Sequence, residues 1–318
     1  MRWTRIAVIA AALVLVLLAV LVRGRPDQPE SQLQFDSEPM VTVTGVGEMP
    51  IEEYVMGVVG GEMGRLPAAG ETEESDWPDE AYASQAILAR SFILAWLQEN
   101  DWKPISTDVT EAQAYNPDNI TDAIRRGVER TRGEVMLDRN GAPVQAYFHS
   151  YAGGYTATAQ EGLNRDDEPE WILSRSVPEN EYVPEDVKSW RASIPLERVA
   201  GALAELGVNV GQIEAIEIAE MGPSDRITRL RIVGSAGTAE VHGADFRVAV
   251  GPEEFRSTRV NPDTFGVEGG HLVAEGKGFG HGVGLSQWDA YKMARDGRKA
   301  EDIIEFFFDN ISIQRLWE

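Results

Sequence analysis

The chain runs to 318 residues, with 29 lysines and arginines against 52 aspartates and glutamates, a net charge of −23. At 43% hydrophobic and 25% charged it has the make-up of a folded chain with a sizeable core. So acidic a balance excludes a nucleic-acid partner, whose phosphates nothing here would neutralise. Cysteine is absent, which excludes disulfides, thiol catalysis and cysteine-bearing metal sites.

Ile6 to Val22 is an unbroken apolar run of 17 residues, preceded by Arg2 and Arg5 and followed by Arg23 and Arg25. That reaches the short end of the roughly 17–25 residues that span hydrocarbon. Its exit, Ala19-Val20-Leu21-Val22-Arg23, carries no small-x-small cleavage site. An uncleaved signal anchor over residues 1–25 is therefore preferred to a cleaved leader, and either sends the rest of the chain out of the cytoplasm. Residues 26–40 are polar, contain Pro26 and Pro29, and read as a linker. The exported part then carries 25 basic residues against 52 acidic ones, an anionic body on a membrane tether.

From 41 to 318 the pattern is α+β, without regular βαβ alternation. Val41 to Thr44 alternates like a short strand. Ile51 to Met63 has a helical period that starts just after Pro50. Gly64 to Asp79 reads as a loop. Glu80 to Asn100 is a helix whose alanines predict burial among close neighbours. Arg132 to Phe148 predicts a hairpin around Asn140-Gly141. Leu196–Leu206 predicts a helix, followed by strands at Ile213–Met221, Arg226–Val233 and Thr238–Val250. This α–β–β–β run suggests a smaller subdomain, inserted over about 190–250. Helices are expected at Ser286–Arg295 and Glu301–Phe308.

Three segments could carry chemistry. Glu62 follows an apolar helical face and the Gly60-Gly61 pair, where a backbone can approach a ligand closely. A carboxyl group in such a half-apolar place would have a raised pKa and could act as a general acid. The alternative is an ordinary solvated glutamate in a last turn. Tyr147 to Thr156 joins a strand end to His149, Ser150, Gly153-Gly154 and Tyr155, either a site loop or a plain hairpin. Gly276 to Trp288 holds five glycines in nine residues with Lys277, His281 and Gln287, and opens a helix. A flexible turn does not explain those polar residues, and a polar loop beside Trp288 suits sugar binding. It matches a phosphate loop poorly, and no Gly-x-Ser-x-Gly elbow supports a serine triad. No cofactor is expected; a zinc site from His149, His281 and a carboxylate stays open but unsupported.

Four ordered segments then resemble the SpoIID/LytB family of cell-wall proteins. They are IEEYVMGVVGGEM (51–63), AYASQAILARSF (81–92), FHS with the following Gly-Gly (148–154), and GFGHGVGLSQW (278–288). The chain departs from the family pattern at Gly64, where proline is expected, and at Ser84, where lysine precedes Gln85. An acidic stretch, Thr72 to Asp76, separates the first two segments. Residues 190–250 match family motifs poorly. Where relatives bind zinc through cysteine and histidine near the Gly-Gly turn, the cysteines are missing.

The resemblance implies a SpoIID-like body with a substrate cleft, from a family named for sporulation. It implies a peptidoglycan lytic transglycosylase cleaving the MurNAc–GlcNAc β-1,4 bond to a 1,6-anhydroMurNAc product, with Glu62 as general acid and then base. One carboxyl group suffices because the muramyl C6 hydroxyl, rather than water, attacks the sugar. The implied substrate contacts are Gln85 and Arg90 from the adjacent helix, with His149, Ser150, Gly153, Gly154 and Tyr155 from one loop. Lys277, Gly278, His281, Gly282, Ser286 and Gln287 would supply the others. Implied partners are glycan strands and a cell-wall amidase. The rival readings are a LytB-like, non-catalytic enhancer of that amidase and a glycan-strand-binding protein.

Overall fold

The computed structural model describes residues 30–67, 74–107 and 112–318. The apolar run Ile6–Val22 lies outside them. Among the described residues no helix is long and apolar enough to cross a membrane. The architecture is α+β, with helices packed among several small sheets.

A hairpin of Met40–Val43 against Gly47–Pro50 leads into the Ile51–Glu62 helix. Pro50, with φ −57°, directs the chain into that helix, and Pro78 does the same for the Asp79–Glu99 helix. The latter is 21 residues long and buried nearly all round, because two cores share it. Tyr82, Ala86, Ala89 and Ile93 pack with the Ile51–Glu62 helix, while Ala83, Ile87 and Leu88 pack with the Gln287–Arg295 and Ala300–Phe307 helices. Alanine suits this place because it lets both sets of neighbours come close.

A third core is built from residues between Trp190 and Ala274. Ile213–Met221, Ile227–Gly234 and Gly237–His242 form one antiparallel sheet with the middle segment central. Beside it, His271–Lys277 is the central strand between Gly266–Glu268 and Ser189–Pro195. The Leu196–Glu205 and Gly243–Val250 helices close this core.

Three expectations are corrected. The strand predicted over Thr238–Val250 ends at His242, and the chain continues as the Gly243–Val250 helix. The His242 imidazole accepts the Ala244 N–H at 3.1 Å and starts the turn, which buries Phe246 and Val250. The hairpin predicted from Arg132 to Phe148 forms its turn, but Glu134–Leu137 pairs along its length with Ser312–Arg315. Only the Leu137–Pro143 bridge remains on the other side, where Pro143 has no N–H to give. The stretch after Gly64 carries a two-residue pairing of Leu66–Pro67 with Glu74–Ser75.

Candidate functional site

Glu62 ends its helix, and its Oε1 accepts the Ala114 N–H at 2.6 Å. That contact exists because one face of the helix has no side chains. Gly57, Gly60 and Gly61 recur at helical spacing, and the segment from Ala114 to Asn119 lies directly on the backbone there. Asn116 N donates to Gly57 O at 2.9 Å, and Asn119 Nδ2 to Gly60 O at 3.1 Å. The chain's own strap takes part of that face, and Gly60 and Gly61 also border open space. Burial pushes the Glu62 carboxyl up to about 7, against the opposing pull of the Ala114 N–H. The negative end of the helix dipole acts in the same direction as burial. A cleft of about 710 Å³ opens beside it, lined by Gly60, Gly61, Met63, Arg65, Asp118 and Asp122.

Two predictions follow from this geometry. A Cβ at position 61 would stand 2.6 Å from Ala114 O, so Gly61→Ala is expected to destabilise the protein by about 1–3 kcal/mol through overpacking. Helix propensity alone predicts a gain of about 1 kcal/mol. Gly201, in the Leu196–Glu205 helix with open space around its Cβ position, is the control that should show the gain. Urea titration of both variants checks the opposite signs.

The second concerns pH. A carboxyl whose pKa rises from 4.5 to about 7 on folding adds stability that is complete below pH 4.5 and lost as pH rises through 7. The loss is on the order of 3 kcal/mol. Glu62→Gln keeps an acceptor for Ala114 N–H and cannot ionise. Its melting temperature should therefore exceed the wild type's by roughly 5 °C at pH 8 and match it at pH 4, with all other carboxylates common to both. Equal melting temperatures at pH 8 would mean the carboxyl is not buried as described.

Beyond Glu62 the chain meets the glycine-rich loop through aromatic rings. Met63 O accepts the Trp77 indole N–H at 3.3 Å, and Gly64 O accepts the Tyr82 hydroxyl at 2.7 Å. Trp77 packs on Trp288 with ring centroids 5.1 Å apart. Next to Trp288, Gln287 Nε2 donates to Gln85 Oε1 at 3.4 Å, so these two predicted residues meet, both buried.

The two loops read as separate site candidates are interlocked. Phe148–His149 runs parallel to Leu285–Ser286, and Tyr151 and Phe279 exchange backbone hydrogen bonds at 3.0 and 2.9 Å. Ser150 O accepts the Trp288 N–H at 3.0 Å. Gly278 has φ +82°, and a Cβ there would lie 2.8 Å from Tyr151 O. Its role, like that of Gly153 against Gly278, is close loop-to-loop packing. Gly282 packs on the buried Arg226 guanidinium, which donates to Ala152 O and Tyr155 O. Ser286 Oγ accepts the Ala152 N–H at 3.0 Å and donates to Asp289 Oδ2 at 2.5 Å. Gly154 is partly exposed, and Tyr155 and Lys277 reach solvent.

His149 is buried, and its Nδ1 lies 3.1 Å from Val283 O, which can only accept; the ring is therefore protonated at Nδ1. His281 Nδ1 accepts the Val283 N–H at 3.0 Å. Burial holds both imidazoles below the usual range, His281 at about 3, so both are neutral at pH 7. They brace the loop from within rather than meeting a ligand as cations. Their ring centroids are 5.6 Å apart, but no carboxylate joins them. Among the described residues no three metal-ligating side chains gather, so the residues present do not fit the zinc reading.

Arg90 is not brought to the cleft. It is fully buried, donating from Nε and NH2 to Glu52 at 3.0 and 2.7 Å and from NH1 to Glu134 O at 2.9 Å. Glu52 Oε1 also accepts the Gly133 N–H and the Trp317 indole N–H, each at 3.0 Å. This correction has a simple cause: a charge with that many partners is held inside the core.

Residues 40–137 match the family model of stage II sporulation protein SpoIID. Over that segment the chain is similar to SpoIID proteins, and the likeness to named relatives extends further. Stage II sporulation protein D of Bacillus subtilis is 28% identical over 293 residues, covering 84% of this chain and 75% of that protein. An uncharacterised protein of Brachyspira hyodysenteriae is 28% identical over 280 residues, covering 86% of this chain and 68% of its own. The amidase enhancer of Bacillus subtilis is 24% identical, and the match covers 75% of this chain but 38% of that longer protein. Residues 160–284 match a second model, a domain of unknown function, DUF8618. Glu62, Gln85 and Arg90 fall in the SpoIID-matching segment; His149 to Tyr155 and Ser286 to Gln287 fall in neither matched segment.

Sequence reasoning missed Glu52, Trp77 and the Ala114 strap. Only the strap left a signal, the run of Gly57, Gly60, Gly61 and Gly64 on one helical face.

Proposed function

We propose that this protein is a SpoIID-type peptidoglycan lytic transglycosylase, held outside the cytoplasm by the apolar run Ile6–Val22. The observation that supports it is the Glu62 carboxyl, half-buried beside a cleft and pushed up by burial to about 7, so that it can hold a proton far closer to neutral pH than an exposed glutamate. In this reading Glu62 gives that proton to the glycosidic oxygen between MurNAc and GlcNAc. The muramyl C6 hydroxyl attacks C1 as the bond breaks, and the Glu62 carboxylate takes the hydroxyl proton. No water is consumed, and the acid is restored for the next cycle. Gln287 against Gln85, and Trp288 against Trp77, are packed behind the end of the Glu62 helix, where Met63 O accepts the Trp77 indole N–H.

A second reading, enhancement of a cell-wall amidase, is favoured by the relative that bears that name. Mass spectrometry of denuded glycan strands incubated with the purified chain separates the two. Fragments ending in 1,6-anhydroMurNAc support the transglycosylase. Reducing ends would mean a hydrolase, with Asp118 or Asp122 in the cleft as candidates for the second carboxylate. Intact strands, together with faster hydrolysis by an added amidase, would support the enhancer.

A further inference from the structure

A second cleft, of about 680 Å³, opens in the part of the chain that matches the domain of unknown function. Its floor is apolar, with Trp190, Met221, Val260 and Pro262, and it carries three cations and two acids. Four of those charges cancel in place. Arg191 pairs with Glu275 at 2.5 Å across adjacent strands, and Arg259 with Asp225 at 3.3 Å. Lys277 is left over: it is exposed, and among the described residues no carboxylate pairs with it.

The Lys277 backbone is firmly placed. Its N–H donates to Arg259 O at 3.0 Å, and its carbonyl accepts the Ser257 hydroxyl at 2.6 Å. Gly276 beside it lets the Trp190 indole lie directly on the backbone, and Arg259 holds Gly153 O, tying the cleft to the glycine loops. On a chain with a net charge of −23, an unpaired lysine over an apolar floor is a local inversion of sign. The volume is that of a small-ligand site.

We propose that this cleft binds a carboxylate of muramyl glycan, with Lys277 as its counter-ion. A glycan strand is otherwise neutral, so a cation can recognise only the muramyl lactyl carboxylate, free when the peptide is absent, or a carboxylate of the attached peptide. The choice of ligand rests on the cell-wall reading above; the cleft and its charge do not.

Calorimetric titration of the full chain tests this with three probes. The GlcNAc–MurNAc disaccharide has a free lactyl carboxylate, muramyl dipeptide has that group amidated and its carboxylate on the peptide, and N,N′-diacetylated chitobiose, used as the chitobiose probe, is neutral. The readout is the component of binding that Lys277→Glu removes and Lys277→Arg keeps. It should appear for one or both carboxylate probes, naming the source, and be absent for chitobiose. Ser189→Trp, which fills the cleft from an exposed position without altering charge, should weaken it at least tenfold. No such component, the same component for chitobiose, or one untouched by Ser189→Trp overturns the proposal. Cleavage of denuded strands is scored separately. Cleavage to anhydro ends without carboxylate binding defeats only this proposal, and binding without cleavage defeats only the transglycosylase.

Discussion

Glu62→Gln is expected to lower the rate of anhydro-product release by about 10²–10⁴-fold, the usual worth of a positioned acid–base group. The substitution is a narrow one. Glutamine fills the same space and still accepts the Ala114 N–H, so the strap and the cleft keep their shape. What is lost is the proton for the departing oxygen and the base for the attacking hydroxyl. In the wild type, activity should fall about tenfold per pH unit above 7, as the carboxyl gives up the proton it needs at the start of the cycle. Rates measured by mass spectrometry across pH 5–9 check both statements. Undiminished cleavage by the variant, or activity that keeps rising above pH 8, would remove Glu62 from the mechanism.

Glu52→Ala should be the most damaging single change to the fold, at about 3–5 kcal/mol. The Glu52 carboxylate is buried and accepts from Arg90 twice, from the Gly133 backbone and from the Trp317 indole. Its removal leaves the fully buried Arg90 guanidinium with a single remaining partner, Glu134 O. The pair need not add net stability, since taking two charges out of water costs nearly what their attraction returns. The double variant Glu52→Leu/Arg90→Met should accordingly be more stable than Glu52→Ala. Urea unfolding of the single and double variants measures the coupling, and a Glu52→Ala loss below 1 kcal/mol would contradict the buried geometry.

Much of the helical framework was legible because it is periodic. The Ile51–Glu62 and Leu196–Glu205 helices are within a residue of expectation, and the burial of the Asp79–Glu99 helix follows from its alanines. Alternation misled at Arg247-Val248-Ala249-Val250, where an N-cap two turns earlier decides for helix. It was overlooked at Trp190, Ala192 and Ile194, because alanine is a weak strand marker. Two-residue strands such as Phe148–His149 have no period to read. The glycines and apolar face before Glu62 left it open between a site residue and an ordinary solvated one, and the covering strap is a contact between positions 52 residues apart. The loop-to-loop pairing of Tyr151 with Phe279 spans a longer gap and has no local signature at all. For Arg90 the residue type suggested a ligand contact, whereas its partner, Glu52, is set by the packing of one helix on another.

The tryptophan that completes the Glu52 cluster stands 265 positions further along the chain. The other partners of the carboxylate, Arg90 and Gly133, lie 38 and 81 positions from Glu52. Without Trp317 in place, Gly133 and Arg90 alone hold the carboxylate. Native structure at the start of the helix that bears Glu62 thereby depends on a contact spanning 265 positions. Such non-local dependence slows folding and lengthens the time apolar surface stays exposed.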